Sequence, residues 1–237
     1  MSGAETPTYL YFYLSLIHKL TFMFHSKKNI IFIILAGVFI TNAVVAELIG
    51  GKLIQVAGFT LSIGILPWPI VFLTTDLINE YFGHKGVRKL TFLTAILISY
   101  ALLILVLGLN IPASSISPVK DDQFHAVFGQ GILIIIGSIV AFVISQLLDI
   151  AIFSHFKKRT GDKHIWLRAT GSTVFSQLID SFIVLGIAFY LPGKITLNEF
   201  FAIGFTGYTA KLVIAVLLTP FIYLGHNVIG NYLKDGE

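Results

Sequence analysis

Six apolar runs, each about as long as a bilayer's hydrocarbon core is thick, leave this chain few folds to choose from. They are Ile30–Ile49, Phe59–Phe82, Leu90–Leu109, Gly131–Phe156, Gly171–Leu191 and Phe200–Leu224. Glycine, proline and charge mark the breaks: "GGK" after the first run, "GHKG" after the second, "NIPASSISPVKDD" and "KKRTGDKHIWLR" around the fourth, "PGK" before the sixth. Charged residues make up 12% of the 237 positions, about half the share of a soluble domain. The pattern predicts an all-α membrane protein with six transmembrane helices over residues 29–226. Residues 227–237 are expected to form a cytoplasmic tail. Residues 1–28 are aromatic-rich but carry Lys19, His18 and His25 and have no small-residue cleavage site. An interfacial helix fits them, and a seventh short span is the alternative.

Basic residues orient the spans. Alternate segments hold Lys19, Lys27 and Lys28; then Lys85, Arg88 and Lys89; then Lys157, Lys158, Arg159, Lys163 and Arg168; then Lys234. The intervening loops hold Lys52, Lys120 and Lys194. That bias predicts that both termini are cytoplasmic. The chain has no cysteine, which removes disulfides and thiol chemistry.

Five acids fall inside the runs: Glu47, Asp76, Glu80, Asp149 and Asp180. A carboxylate at mid-membrane costs about 2.5–3.5 kcal/mol to insert, so each needs a reason. Glu47 lies near the outer end of its run, where water is in reach. Asp76 and Glu80 sit one helical turn apart, with Asn79 beside them. Arg88 and Lys89 are close enough in sequence to pair with Glu80. Pro67 and Pro69 flank Trp68 upstream and predict a kink there. Two later runs share a cassette, "SQLLD" at Ser145–Asp149 and "SQLID" at Ser176–Asp180, which puts Gln146 with Asp149, and Gln177 with Asp180, on one helix face. In the last run Gly204, Tyr208, Lys211 and Ala215 share a face. Pairing Lys211 with Asp180 or Asp149 is the simplest way to lower its cost, and a purely structural ion pair is the competing reading.

No Gly-x-Ser-x-Gly, His-Glu-x-x-His, Glu-x-x-His or P-loop pattern occurs, so the chain cannot hydrolyse ATP alone and calls for no cofactor or metal. Polar side chains converging between helices point instead to a binding pocket or a permeation path. An intramembrane enzyme using Asp149 and Asp180 as an acid pair is a weaker reading, because no further motif supports it.

"TDLINEYFG" (Thr75–Gly83) followed by basic residues, the two Gln-x-x-Asp cassettes and a Lys in the last run resemble the queuosine precursor transporter family from about Ile30 to Leu224. The resemblance implies an inner-membrane importer of 7-deazaguanine bases such as 7-cyano-7-deazaguanine, which feed tRNA queuosine modification. It also implies a fold similar to the substrate-binding subunits of energy-coupling-factor vitamin transporters. The alternative within transport is such a vitamin-binding subunit, working with a separate ATPase module. The expected partners are a small deazapurine and the lipid bilayer, not nucleic acid, and the reading is compatible with a homo-oligomer. The residues fit such a ligand. A carboxylate accepts the N1–H and 2-amino group of a guanine-type base together. Asp149 and Asp180 are the expected readers of that edge, with Asp76, Asn79, Glu80, Gln146, Gln177 and Lys211 around them. Trp68, Phe153, Phe182 or Tyr208 can stack on its face.

The topology is checked by cysteine labelling, which the cysteine-free chain allows. A Cys at Ser117 should react with an impermeant reagent added outside intact cells, and one at Gly161 should not.

Overall fold

The computed structural model describes residues 26–50, 52–56, 59–129, 132–161 and 163–234; the segment expected to lie at the membrane surface falls almost wholly outside them. Seven helices and one hairpin are seen among the described residues. Helix α1 spans Lys27–Ile49. A hairpin of β1 (Leu53–Val56) and β2 (Phe59–Ser62) follows, paired antiparallel with Leu53 opposite Ser62 and Val56 opposite Phe59. Helix α2 covers Trp68–Leu109. A short α3 (Asp121–Phe128) precedes α4 (Ile132–Thr160) and α5 (Ile165–Leu185), which ends in a π-helical turn at Gly186–Tyr190. Helices α6 (Leu197–Leu217) and α7 (Thr219–Lys234) complete the chain.

Five of these elements are long and apolar enough to cross a membrane: Lys27–Ile49, Ile63–Leu109, Ile134–Thr160, Ile165–Tyr190 and Leu197–Leu217. The chain is a multi-pass membrane protein. Its outward surfaces are apolar, with Ile96, Leu103, Phe205 and Leu217 all exposed, while Thr75, Asp76, Asn79, Gln146, Asp149 and Gln177 are buried. That inversion suits lipid, which welcomes aliphatic side chains and rejects polar ones.

Three boundaries differ from the sequence reading. The second run does not begin as a helix at Phe59. Residues Phe59–Ser62 form a strand instead, paired with Leu53–Val56. Nor do the two prolines kink the helix. Pro67 is its N-cap and Pro69 lies in its first turn, where a missing N–H leaves no bond unmade. The break comes later, at Gly83, whose backbone (φ 73°, ψ 170°) is non-helical. Helix α2 is therefore two arms, 68–82 and 84–109. Together they would be about 60 Å long if straight, twice a hydrocarbon core. Val71 and Ile78 of the first arm and Val87, Leu90, Ile98 and Leu102 of the second bury into one core with Phe39, Ala43, Phe142 and Ile150.

The third difference concerns the last run, which divides at Leu218. Helix α7 starts at Thr219 with Pro220 in its first turn, and helical structure runs to Lys234 through much of the expected tail. Ile222 and Ile229 join a second core with Ile31, Leu77, Phe153, Ile165 and Ala169. The Tyr81 hydroxyl donates to the His226 carbonyl at 2.7 Å, and Lys27 Nζ donates to the Tyr232 carbonyl at 3.2 Å. With Lys157 and Arg168 both on Glu80, these contacts bring the basic segments together at one end of the bundle.

The Gly83 backbone lies where side chains are strained by about 1–3 kcal/mol. Gly83→Ala should lower the thermal midpoint of the purified protein by several degrees although nothing lies within 4 Å of the added Cβ. Gly86→Ala, in regular helix, should leave the midpoint unchanged or raise it.

Candidate functional site

The seam between α4 and α5 carries the cassettes, and they lock each other. Ser176 Oγ donates to Asp149 Oδ1 at 3.1 Å, and Ser145 Oγ donates to Asp180 Oδ1 at 3.3 Å. The helices are antiparallel, so the serine of each cassette meets the aspartate of the other, as about a local two-fold axis. Charged groups gather at three levels along this seam.

At the level away from the basic end, Lys211 Nζ lies 2.5 Å from Asp180 Oδ2, the pairing expected for the lysine of the last run. Glu47 faces both charges and accepts from Ser138 Oγ at 2.5 Å. At the basic end, Arg168 Nη2 donates to Glu80 Oε1 at 2.7 Å, and Lys157 Nζ lies 3.1 Å from Oε2. Lys157 also donates to the Glu80 carbonyl at 2.5 Å. Arg168 is 1% exposed; its Nη1 donates to the carbonyls of Gly161 (2.5 Å) and Lys163 (3.3 Å), and its guanidinium centre lies 5.8 Å from the centroid of the Phe153 ring.

Between these levels lie Asp76 and Asp149, each 6% exposed. Asp149 accepts from Ser176 and, at 3.5 Å, from Thr173, with Ser172 a third hydroxyl donor. The charges facing Asp76 are Asp149, Glu80 and Arg168. Among the described residues, no Lys or Arg comes within 4.0 Å of either aspartate. Asp76 Oδ1 and Asn79 Nδ2 are buried without a hydrogen-bond partner among the described residues. Asn79 Oδ1 accepts from Ser154 at 3.5 Å, and Gln146 Nε2 donates to Thr75 Oγ1 at 3.4 Å. Asp76 opens on a pocket between the first arm of α2 and helices α5, α6 and α7, lined also by Phe72, Thr170, Thr173, Ala215 and Thr219.

Several sequence expectations need correction or extension. Arg88 does not reach Glu80. It is exposed, with its guanidinium 5.9 Å from the Phe92 ring centroid, because the Gly83 break turns the second arm's basic face outward. Arg168 takes that place. The signal was present: Arg168, Ser172, Ser176 and Asp180 recur every fourth residue on one face of α5, which extends the polar stripe back into what reads as a basic loop. Of the proposed stacking rings, Trp68 packs on Phe72 and Phe142, Phe153 is shut into the core beside Arg168, and Phe182 lies among Phe200, Phe201 and Phe205. Phe72, one turn before Asp76, is the ring that lines the pocket. Gly204 and Ala215 are buried on the α6 face expected for them, with Tyr208 and Lys211 half-buried between. Gln177 is buried on the seam.

Comparison with known proteins matches residues 62–225 to a family described as "Putative vitamin uptake transporter". A "Probable queuosine precursor transporter" of Bacillus subtilis is 30% identical over 184 residues, covering 76% of this chain and 78% of the relative. The protein of that name in Haemophilus influenzae is 30% identical over 162 residues (65% and 63%). The "Queuosine precursor transporter" of Escherichia coli is 25% identical over 176 residues (69% and 72%). No solved structure matches the chain.

Removing one partner from a buried ion pair typically costs about 3–5 kcal/mol. Arg168→Met should therefore lower the thermal midpoint sharply, although Lys157 softens the loss. Adding Glu80→Gln should recover part of it, and a double-mutant cycle on thermal unfolding measures the coupling.

Proposed function

This chain belongs to the queuosine precursor transporter family, and from that membership we propose that it carries 7-deazaguanine bases across the inner membrane for tRNA queuosine modification. The observation that bears most weight is the middle level of the seam. Asp76, which lines a pocket with an aromatic wall, has a buried carboxylate oxygen, and Asn79, one helical turn on, has a buried amide N–H, both without partners among the described residues. A guanine-type edge offers N1–H and the 2-amino group to an acceptor, with O6 beside them for a donor. Asp76 Oδ1 and Asn79 Nδ2 have the matching chemistry. Leaving such groups buried and unmatched is costly, so a ligand that satisfies them gains affinity and excludes purines with the wrong edge.

Asp76 suits the edge better than Asp180 does, because Lys211 and Ser145 already engage both Asp180 oxygens. Gln146, Gln177 and Tyr208 complete the polar surroundings, and Phe72 supplies the face on which the base stacks. Glu80 serves to hold the basic end together through Arg168 and Lys157.

Six crossings fit this carrier, the two arms of α2 each making one. The doubling of α2's length over a bilayer and the shared burial of both arms support that count. It is also the count expected from a likeness to the substrate-binding subunits of energy-coupling-factor transporters. The gathering of basic residues at one end supports placing that end, with both termini, in the cytoplasm.

The test is uptake. Purified chain alone in proteoliposomes, without ATP, should accumulate radiolabelled 7-deazaguanine bases and discriminate against adenine. Uptake that appears only when an ATPase module is added would replace the carrier with a binding subunit. No uptake or binding of any 7-deazaguanine under either condition would refute the substrate class.

A further inference from the structure

We propose that the middle level makes this carrier selective for a 7-deazaguanine that bears a protonated amine, with Asp76 and Asn79 reading the base edge and Asp149 pairing with the ammonium. The inference rests on the deazaguanine reading above and goes beyond it, because that reading treats charged and neutral members of the class alike.

Cations are distributed unevenly among the buried acids. Asp180 has Lys211, and Glu80 has both Arg168 and Lys157. Asp76 and Asp149, the two most deeply placed acids, have none within 4.0 Å among the described residues, and each faces the other's charge. Hydroxyls from Ser172, Thr173 and Ser176 donate to Asp149 but bring it no positive charge. Two buried carboxylates with no ion-pair partner of their own, Arg168 being held by Glu80, are tolerated only if something positive arrives with the ligand or a proton sits on one of them.

A neutral base satisfies Asp76 by hydrogen bonds and leaves Asp149 as it was. A base with an aminomethyl substituent brings the missing charge. An alkylamine resembles the Lys side chain, whose ordinary pKa is about 10.4, so it is cationic at neutral pH. Its three N–H donors need three acceptors. Asp149 and the oxygens of Thr173 and Ser176 offer an anionic site with further lone pairs. Thr173 joins the two halves of the site. It lines the pocket beside Asp76, and its hydroxyl is 3.5 Å from Asp149. A cyano substituent carries no charge and no donor, and gains nothing there.

The experiment is equilibrium binding of 7-aminomethyl-7-deazaguanine and 7-cyano-7-deazaguanine, each radiolabelled, to the full chain in nanodiscs at pH 7. The aminomethyl compound should bind about tenfold tighter or more, the size of one charge-assisted contact. Asp149→Asn should bring the ratio of the two affinities toward one. Asp76→Asn should weaken both compounds and keep the ratio. Equal affinities in the unaltered protein, or tighter binding of the cyano compound, would overturn the proposal whether or not either variant folds. Equal affinities accompanied by proton uptake from the buffer would overturn it in favour of a protonated Asp76 or Asp149. A ratio that survives Asp149→Asn, in protein shown folded by its thermal midpoint, would overturn the assignment of the ammonium to Asp149. Binding of neither compound would remove the deazaguanine reading itself, and this inference with it.

Discussion

Ser176 to Asp149 and Ser145 to Asp180 close the α4–α5 seam from both sides, and the rest of the bundle is arranged on that seam. A hydroxyl is small enough to let two helices approach closely, and its bond to a carboxylate is stronger where water is absent. Close approach is built into the backbone as well. A Cβ on Gly171 would come within 3.0 Å of the Phe156 ring. The first arm of α2 joins from one side through Thr75–Gln146 and Asn79–Ser154, and α6 joins from the other through Lys211. Each added helix brings polar groups inward and presents aliphatic side chains outward.

Charge is not spread evenly along this interior. The ion pairs at either end of the seam tie together elements distant in sequence: α2 with α4 and α5 at the basic end, α5 with α6 at the other. A buried ion pair adds little to stability relative to apolar packing, but it is unforgiving about which partner it meets. Such pairs therefore fix which helices sit side by side in an interior where lipid supplies no hydrophobic drive to choose between them. The stretch between them is left with negative charge and unmatched polar atoms, which is where recognition has something to recognise.

Much of this was legible in the sequence. The apolar runs gave the helices, the Ser-Gln-Leu-x-Asp repeat gave the seam, and a lysine among aliphatics demanded an acid. The partner of Glu80 was missed because local spacing says nothing of direction after a backbone break. Arg88 is eight residues from Glu80 and turns away beyond Gly83, whereas Arg168, eighty-eight residues off, folds back onto it. The strand at Phe59–Ser62 was hidden because a short apolar ribbon and the start of an apolar helix have the same composition. The last run looked continuous because Pro220 lies where a helix can begin, and hydropathy alone does not show that one has just ended.

Arg168 carries a mechanical implication. Its guanidinium grips Glu80 on one side and the carbonyls of Gly161 and Lys163 on the other, so the α4–α5 turn, the start of α5 and the first arm of α2 move as one piece while it is bound. Any rocking that separates that arm from α5 has to tear this fastening first. Because the guanidinium is shut away from water, dissolved ions do not screen it. A turnover step limited by that rupture would keep the same speed in dilute buffer and in concentrated salt, unlike a gate built from surface charges.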